Sequence, residues 1–171
     1  MGGKALNGKR IKREAIPMMV SSFLDYNDMS HIPYYICGSY RRGCLDSGDI
    51  ELILHINNPE VLFGVRQRIS RIFGWTLTGE PKMRGLWGLW GEVQFDLFIA
   101  DDLSLGAMLM HATGSRQFNI KMRAVAKNQG LKLNQYGLWR INDEPVVRGK
   151  DEKDIFDYLS MRYHDPEERN M

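Results

Sequence analysis

The sequence predicts an α+β fold in two parts, a larger one over residues 1–102 and a smaller one over residues 103–171. Three observations carry that prediction. Asp49 to Ile56 and Val93 to Ile99 alternate apolar and polar side chains with the period of a half-buried strand. Pro59 to Phe73, between them, has helical spacing and stops at Gly74. After Asp101-Asp102 the pattern changes to two consecutive helical segments followed by short strands.

Taken in order, Ile11 to Leu24 reads as a helix, with Ile11, Ala15, Met18, Met19 and Ser22 at helical spacing. Pro33 to Cys37 is a short apolar strand ending in Gly38. Trp75 to Thr78, Lys82 to Trp87 and Trp90 to Ile99 read as strands, the last two joined by a glycine-punctuated hairpin. Ser104 to Ala112 and Ser115 to Asn128 are the two helices of the smaller part. Short strands around Leu131 and Leu138 follow, and a last helix starts near Asp151.

Bulk properties narrow the class. A chain of 171 residues, 43% apolar and 26% charged, has the composition of an ordinary globular protein. No run approaches the roughly 18 apolar residues that span a bilayer, and Met1-Gly2-Gly3-Lys4 leads into no apolar signal region. An intracellular protein, neither secreted nor membrane-bound, is expected. Cys37 and Cys44 fit neither a zinc nor a redox spacing and read as reduced thiols. The net charge is only +2, but it is unevenly spread. Lys4, Lys9, Arg10, Lys12 and Arg13 crowd one end, and Arg116, Lys121, Arg123, Lys127 and Lys132 follow one another without an acid between them. From Asp143 onward the sign reverses. Such runs are ordinarily solvated faces; here they permit a polyanionic partner.

The candidate chemistry lies on the two alternating strands. In the first, Asp49 and Glu51 share a face while Ile50, Leu52 and Leu54 fill the other. Val93, Phe95, Leu97 and Ile99 share one face of the second, and Asp96 is the acid on the opposite face, between Gln94 and Phe98. Neighbouring strands would bring three carboxylates to one spot, a set suited to two divalent cations in phosphoryl transfer. Three unrelated solvated acids remain the alternative on spacing alone. Just upstream, Gly38-Ser39-Tyr40-Arg41-Arg42-Gly43 forms a glycine-bounded turn in which Ser39 offers a hydroxyl and Arg42 a fork for phosphate oxygens. On the Ser115 helix, Phe118, Met122 and Val125 face the core, and Arg116, Asn119, Arg123 and Lys127 form another stripe.

Gly38-Ser39-Tyr40-Arg41-Arg42-Gly43 followed by Ser47-Gly48-Asp49-Ile50-Glu51 closely resembles the palm signature of family X DNA polymerases, the family of DNA polymerase beta and terminal transferase. The likeness runs on through Thr113-Gly114-Ser115, Phe118-Asn119, Met122-Arg123-Ala124 and Leu133-Asn134-Gln135-Tyr136 to Glu152-Lys153-Asp154-Ile155-Phe156-Asp157-Tyr158. It implies a nucleotidyltransferase palm, a mixed or antiparallel sheet with helices on one face, over residues 1–102. Residues 103–171 would be a nucleotide-selection lobe contacting the nascent base pair and DNA. The lyase and helix-hairpin-helix domains of larger relatives are not expected. The implied reaction joins dNMP from a dNTP to a primer 3′-hydroxyl, releasing pyrophosphate, in short-gap filling during DNA repair.

The same resemblance assigns roles. Asp49, Glu51 and Asp96 would hold two Mg2+ and carry catalysis, and Gly38, Ser39, Arg42 and Gly48 would receive the triphosphate. His111, Gly114, Ser115, Asn119 and Arg123 would contact sugar and base pair, with a cis bond between Gly114 and Ser115. Arg116, Lys121, Lys127 and Lys132 would bind DNA. Three departures stand out: Glu51 where the family usually has Asp, Ala112 after His111 where many relatives carry an aromatic pair, and Phe98 where polymerase beta has an arginine. The longer Glu51 side chain predicts a shift of metal preference toward Mn2+. A monomer is expected, with an accessory DNA-binding or ligase partner in place of the missing domains. Template-independent or ribonucleotide-tolerant transfer is the alternative activity, and an inactive DNA-end-binding module the non-enzymatic one.

Overall fold

The computed structural model describes residues 10–71, 76–77, 82–87 and 93–170. It opens with a two-residue strand, β1 (Ile11–Lys12), and a 3-10 turn, Arg13–Ala15, that leads into helix α1 (Ile16–Tyr26). Strand β2 (Tyr34–Ile36), the one-turn helix α2 (Gly38–Arg41) and β3 (Asp46–Ser47) precede the longer β4 (Ile50–His55). Helix α3 (Pro59–Ser70) then leads to β5 (Thr76–Leu77), β6 (Lys82–Trp87) and β7 (Val93–Ala100). Helices α4 (Leu105–Thr113) and α5 (Arg116–Asn128) come next. They are followed by β8 (Leu131–Asn134), β9 (Gly137–Arg140), β10 (Pro145–Val147) and α6 (Glu152–Tyr158). A 3-10 turn, Pro166–Arg169, closes the described chain.

The larger sheet is mixed, in the order β2-β4-β7-β6-β5, with β4 and β7 parallel and the other pairs antiparallel. Its alternation sorts side chains as the sequence predicts. Ile50, Leu52 and Leu54 of β4 and Phe95, Leu97 and Ile99 of β7 face a core shared with Ile16, Val20, Phe23 and Leu24 of α1 and Val65 and Ile69 of α3. Phe23 stacks on Phe95 with ring centroids 4.6 Å apart. Burying each such side chain stabilises the fold by about 1.5–3 kcal/mol. The opposite face is covered too: Ile53, Phe98 and Ala100 pack with Met108 and Ala112 of α4. The expectation of helices on one face therefore holds for α1 and α3, while α4 crosses the other.

The first helix differs from its prediction. Residues 11–12 pair instead with Ser47 and Asp46 of β3, and α1 starts at Ile16 with Pro17 in its first turn. Proline has no N–H to donate and fits only a helix's opening turn, so a helix running unbroken from Ile11 would be interrupted there. The buried face shifts accordingly to Ile16, Val20, Phe23 and Leu24, and Met18 is exposed. Strand β10 had no counterpart in the sequence reading; its three residues carry too little periodicity to signal it. Trp75, Thr78 and the hairpin residues 88–92 lie outside the described residues.

The smaller sheet, β10-β9-β8, packs with α5 and α6 around Phe118, Met122, Ala126, Leu138, Ile155 and Phe156. Ser115 caps α5, accepting from the Phe118 N–H at 3.3 Å, and Asp151 caps α6 in a capping box with Asp154. The starts of α4 and α6 meet backbone to backbone. Gly106 N–H donates to the Lys150 carbonyl at 3.1 Å and Ala107 N–H to that of Gly149 at 3.0 Å. A Cβ on Gly106 would lie 2.2 Å from the Asp151 carbonyl carbon, so only glycine permits this approach. The contact sets Glu152 at the junction of the two parts. Among the described residues no helix is long and apolar enough to cross a membrane.

Candidate active site

The parallel β4–β7 pairing places Glu51 directly beside Asp96, Cα to Cα in register. Asp49 stands immediately before β4, two residues from Glu51. Asp96 is 2% exposed and accepts from the Gln94 side-chain amide at 3.1 Å. The Glu51 carboxylate lies over the Gly38 turn. A Cβ on Gly38 would fall 1.6 Å from Glu51 Oε2, and Gly38 has φ +58°, so glycine is demanded there twice over. The strands thus bring Glu51 and Asp96 together, with Asp49 just before the start of β4. Their side chains do not close into a cage: among the described residues no three His, Cys, Asp or Glu groups do.

The Gly38–Gly43 turn is held from below by Arg13. Its guanidinium donates to the Tyr40 carbonyl and lies 4.2 Å from the centre of the Tyr40 ring. This basic residue, grouped by sequence with a polyanion-binding cluster, is a structural prop. Ser39 donates to the Ser47 hydroxyl at 2.7 Å, both residues being buried, and Gly48 is buried between β3 and β4. Ser47 escaped sequence reasoning, because nothing in a lone serine before Gly48 marks it.

The two arginines of the turn have different surroundings. Arg41 donates to both oxygens of Glu152, at 3.0 and 2.7 Å, and to the Thr113 hydroxyl at 2.6 Å. Glu152 also accepts from Arg169 at 2.8 Å and from the Tyr163 hydroxyl at 3.1 Å. Burial alone would raise the Glu152 carboxyl, but the bonds from Arg41 and Arg169 outweigh it and hold the group below the usual carboxylate range. Arg169 is fully buried, gives two more bonds to the His164 carbonyl, and sits among the rings of Phe118, Phe156 and Tyr163 at 5.3–5.6 Å. Sequence counted Glu152 among the acids of the tail where the charge reverses and gave Arg169 no role; the fold buries both.

Arg42, 9% exposed, has only neutral oxygens as partners. It donates to the Thr113 carbonyl and, through Nε, to Asn170 Oδ1 at 2.9 Å. Among the described residues no carboxylate lies within ion-pair distance of it. Thr113 leads into the cis Gly114–Ser115 bond, where Gly114 has φ +69° and the Ser115 N–H reaches the Arg169 carbonyl at 3.3 Å.

Residues 108–170 match the family described as DNA polymerase beta thumb. The chain is 37% identical to DNA polymerase IV of Saccharomyces cerevisiae over 78 residues, 46% of this chain and 13% of the yeast protein. It is 27% identical to DNA polymerase lambda of Rattus norvegicus over 162 residues, 78% of this chain and 28% of the rat protein. It is 23% identical to the DNA polymerase/3'-5' exonuclease PolX of Bacillus subtilis over 138 residues, 81% of this chain and 24% of that protein.

The chain is similar to family X DNA polymerases. It spans less than a third of the length of each of these three relatives. The remaining site candidates lie on α4, α5 and the β8–β9 hairpin. His111, Asn119 and Arg123 line a small cleft with Met110, Leu133 and Asn134. Asn119 donates to the His111 carbonyl at 2.8 Å, and the His111 ring meets Phe98 edge-on at 6.1 Å. Arg116, Lys121, Arg123 and Lys127 are exposed along α5. Lys132 differs: Asp143 takes its ammonium at 2.8 Å, so an acid eleven residues on in sequence, beyond the apparent end of the basic run, neutralises that member. Cys37 and Cys44 are free thiols, and burial pushes the Cys37 thiol well up.

Proposed function

We propose that this chain carries a nucleotidyl-transfer core, adding dNMP from a dNTP to the 3′-hydroxyl of a DNA primer and releasing pyrophosphate, in the filling of short gaps during DNA repair. The observation that carries the reading is Arg42. A buried guanidinium whose partners are neutral oxygens keeps an unbalanced charge, and an anion is what balances it. The triphosphate is the anion the family's chemistry would bring. It would bind against Arg42, the Ser39 hydroxyl and the backbone at Gly38 and Gly48.

Glu51 and Asp96 supply hard oxygen donors at adjoining positions on one sheet face, with Asp49 two residues before Glu51, a set that fits divalent cations of the magnesium and manganese class. Such cations, when bound, neutralise charge on the phosphates and make the primer hydroxyl a better nucleophile. Among the described residues Asp96 is the most buried acid, and it would hold the hydroxyl proton as the oxygen attacks the α-phosphate. Gly114-Ser115 and His111 would seat the sugar. Arg123 and Asn119 would meet the minor-groove edge of the base pair, where acceptors sit at similar places for every correct pair. Asn119 must first give up its bond to the His111 carbonyl. Arg116, Lys121 and Lys127 would bind DNA phosphates, with Lys132 contributing once released from Asp143.

Single-nucleotide insertion on gapped DNA, with each dNTP separately in magnesium and in manganese, tests this reading. Insertion dictated by the template base, lost in Asp49→Ala and Asp96→Asn, is the expected result. Insertion regardless of template would reassign the chain to template-independent transfer. No insertion in either metal would refute the enzymatic reading.

A further inference from the structure

Asn170 reaches the phosphate turn from the far end of the chain, 128 positions from Arg42. Both ends of its amide are used there. Oδ1 accepts from Arg42 Nε at 2.9 Å, and Nδ2 donates to the Arg42 carbonyl at 2.9 Å and to the Glu167 carbonyl at 3.3 Å. The pattern fixes the amide's orientation, because a flipped amide would set two donors against each other at Nε and an oxygen against two carbonyls. Cys44 adds a weak contact from Sγ to the same Oδ1 at 3.5 Å. With Nη1 held by the Thr113 carbonyl, two of the three guanidinium nitrogens are fastened. The plane of the fork is then set before any ligand arrives, and Nη2 makes no hydrogen bond to another described residue.

The choice of an amide matters as much as its placement. The neighbouring arginine, Arg41, is held by a carboxylate counter-ion, Glu152, which it shares with Arg169. A carboxylate at position 170 would hold Arg42 by the same acceptor geometry, but it would also supply the counter-charge that an incoming anion should supply. Asparagine orients the guanidinium and leaves its charge available. Preorganising a charged donor in this way removes the ordering cost at the moment of binding.

We infer that Asn170 is a positioning residue for triphosphate binding, orienting Arg42 from the segment that follows the Pro166–Arg169 turn without neutralising it. The inference rests on the reading of Arg42 as a triphosphate ligand. It assigns a task in the nucleotide site to a residue that approaches from the other part of the molecule.

The test is calorimetric titration of magnesium–dNTP into the full chain bound to gapped DNA with a dideoxy-terminated primer, below each variant's Tm. Wild type, Asn170→Ala, Asn170→Asp and Arg42→Ala are compared, with DNA affinity and Tm measured alongside. Asn170→Ala should weaken dNTP binding about tenfold, the scale of one charge-assisted hydrogen bond, with DNA affinity unchanged. Asn170→Asp should bind dNTP no better than Asn170→Ala although its Tm equals or exceeds that of wild type. A purely structural role predicts the opposite for the aspartate, recovery of binding together with stability, and that result would overturn the inference. Wild-type affinity in Asn170→Ala would overturn it as well, leaving Arg42 intact as a ligand if Arg42→Ala has lost binding. Undiminished binding by Arg42→Ala, or none by wild type, would sink the Arg42 reading itself and the inference with it.

Discussion

Arg41 and Arg42 are adjacent in sequence, both largely withdrawn from water, and chemically identical, yet the regions around them are built for different ends. On the Arg41 side, Glu152 takes two bonds from Arg41, one from Arg169 and one from Tyr163, so a single internal carboxylate serves as counter-ion to both guanidinium groups. On the Arg42 side, the partners are a backbone carbonyl and a side-chain amide, which satisfy hydrogen bonds and leave the charge. The first arrangement fastens the two parts of the chain together. The second keeps a site ready for an anion. What separates a structural arginine from a ligand-binding one here is the charge of the acceptor it meets, not its burial.

The widest break in that comparison is Glu152→Ala. It leaves Arg41 and Arg169 as buried charges without a counter-ion and should cost about 3–5 kcal/mol, measured by denaturant unfolding. A loss under about 1 kcal/mol, the scale of an exposed pair, would show that the clamp holds nothing. Acid should reveal the same group more gently. The Glu152 carboxyl lies below its ordinary 4.5 in the folded chain, so its stabilisation is complete above that pH and fades as pH falls through the depressed value. Glu152→Gln should flatten the acid limb of a stability–pH curve. An unchanged limb would place the acid sensitivity elsewhere.

Arg42→Ala sharpens the contrast from the other side. Removing a charge that has no internal counter-ion should cost less stability than Glu152→Ala, while nucleotide insertion falls about 10²–10³-fold. A large loss of stability with little loss of insertion would reverse the roles given to the two arginines. The smallest effect belongs to Arg10, whose exposed pair with Asp46 at 2.5 Å should contribute about 0–1 kcal/mol and vanish in high salt. Thermal unfolding of Arg10→Ala at low and high salt checks that baseline.

Much of the fold was legible because burial imposes a period. The alternation in β4 and β7, the spacing of Phe118 and Met122, and the helix starts near Ser115 and Asp151 are local, and the structure repeats them. The first helix was misjudged at its start because Pro17 and the pairing of Ile11 with Ser47 act together, and the second lies 36 positions away. Glycine was informative where space was the constraint: Gly38 beneath the Glu51 carboxylate, in the turn that sequence had already singled out.

Sequence alone determined the α+β class, the three acids on alternating strands and the serine–arginine turn, since each is written within a few consecutive residues. Only the tertiary structure decided what each charge meets. It set Glu51 beside Asp96, buried Glu152 and Arg169 in the tail where the charge reverses, paired Lys132 with Asp143, and gave Arg41 a carboxylate but Arg42 an amide. The physical reason is that an ion's role depends on the solvent and counter-charge around it, and those partners stand as many as 128 positions apart along the chain.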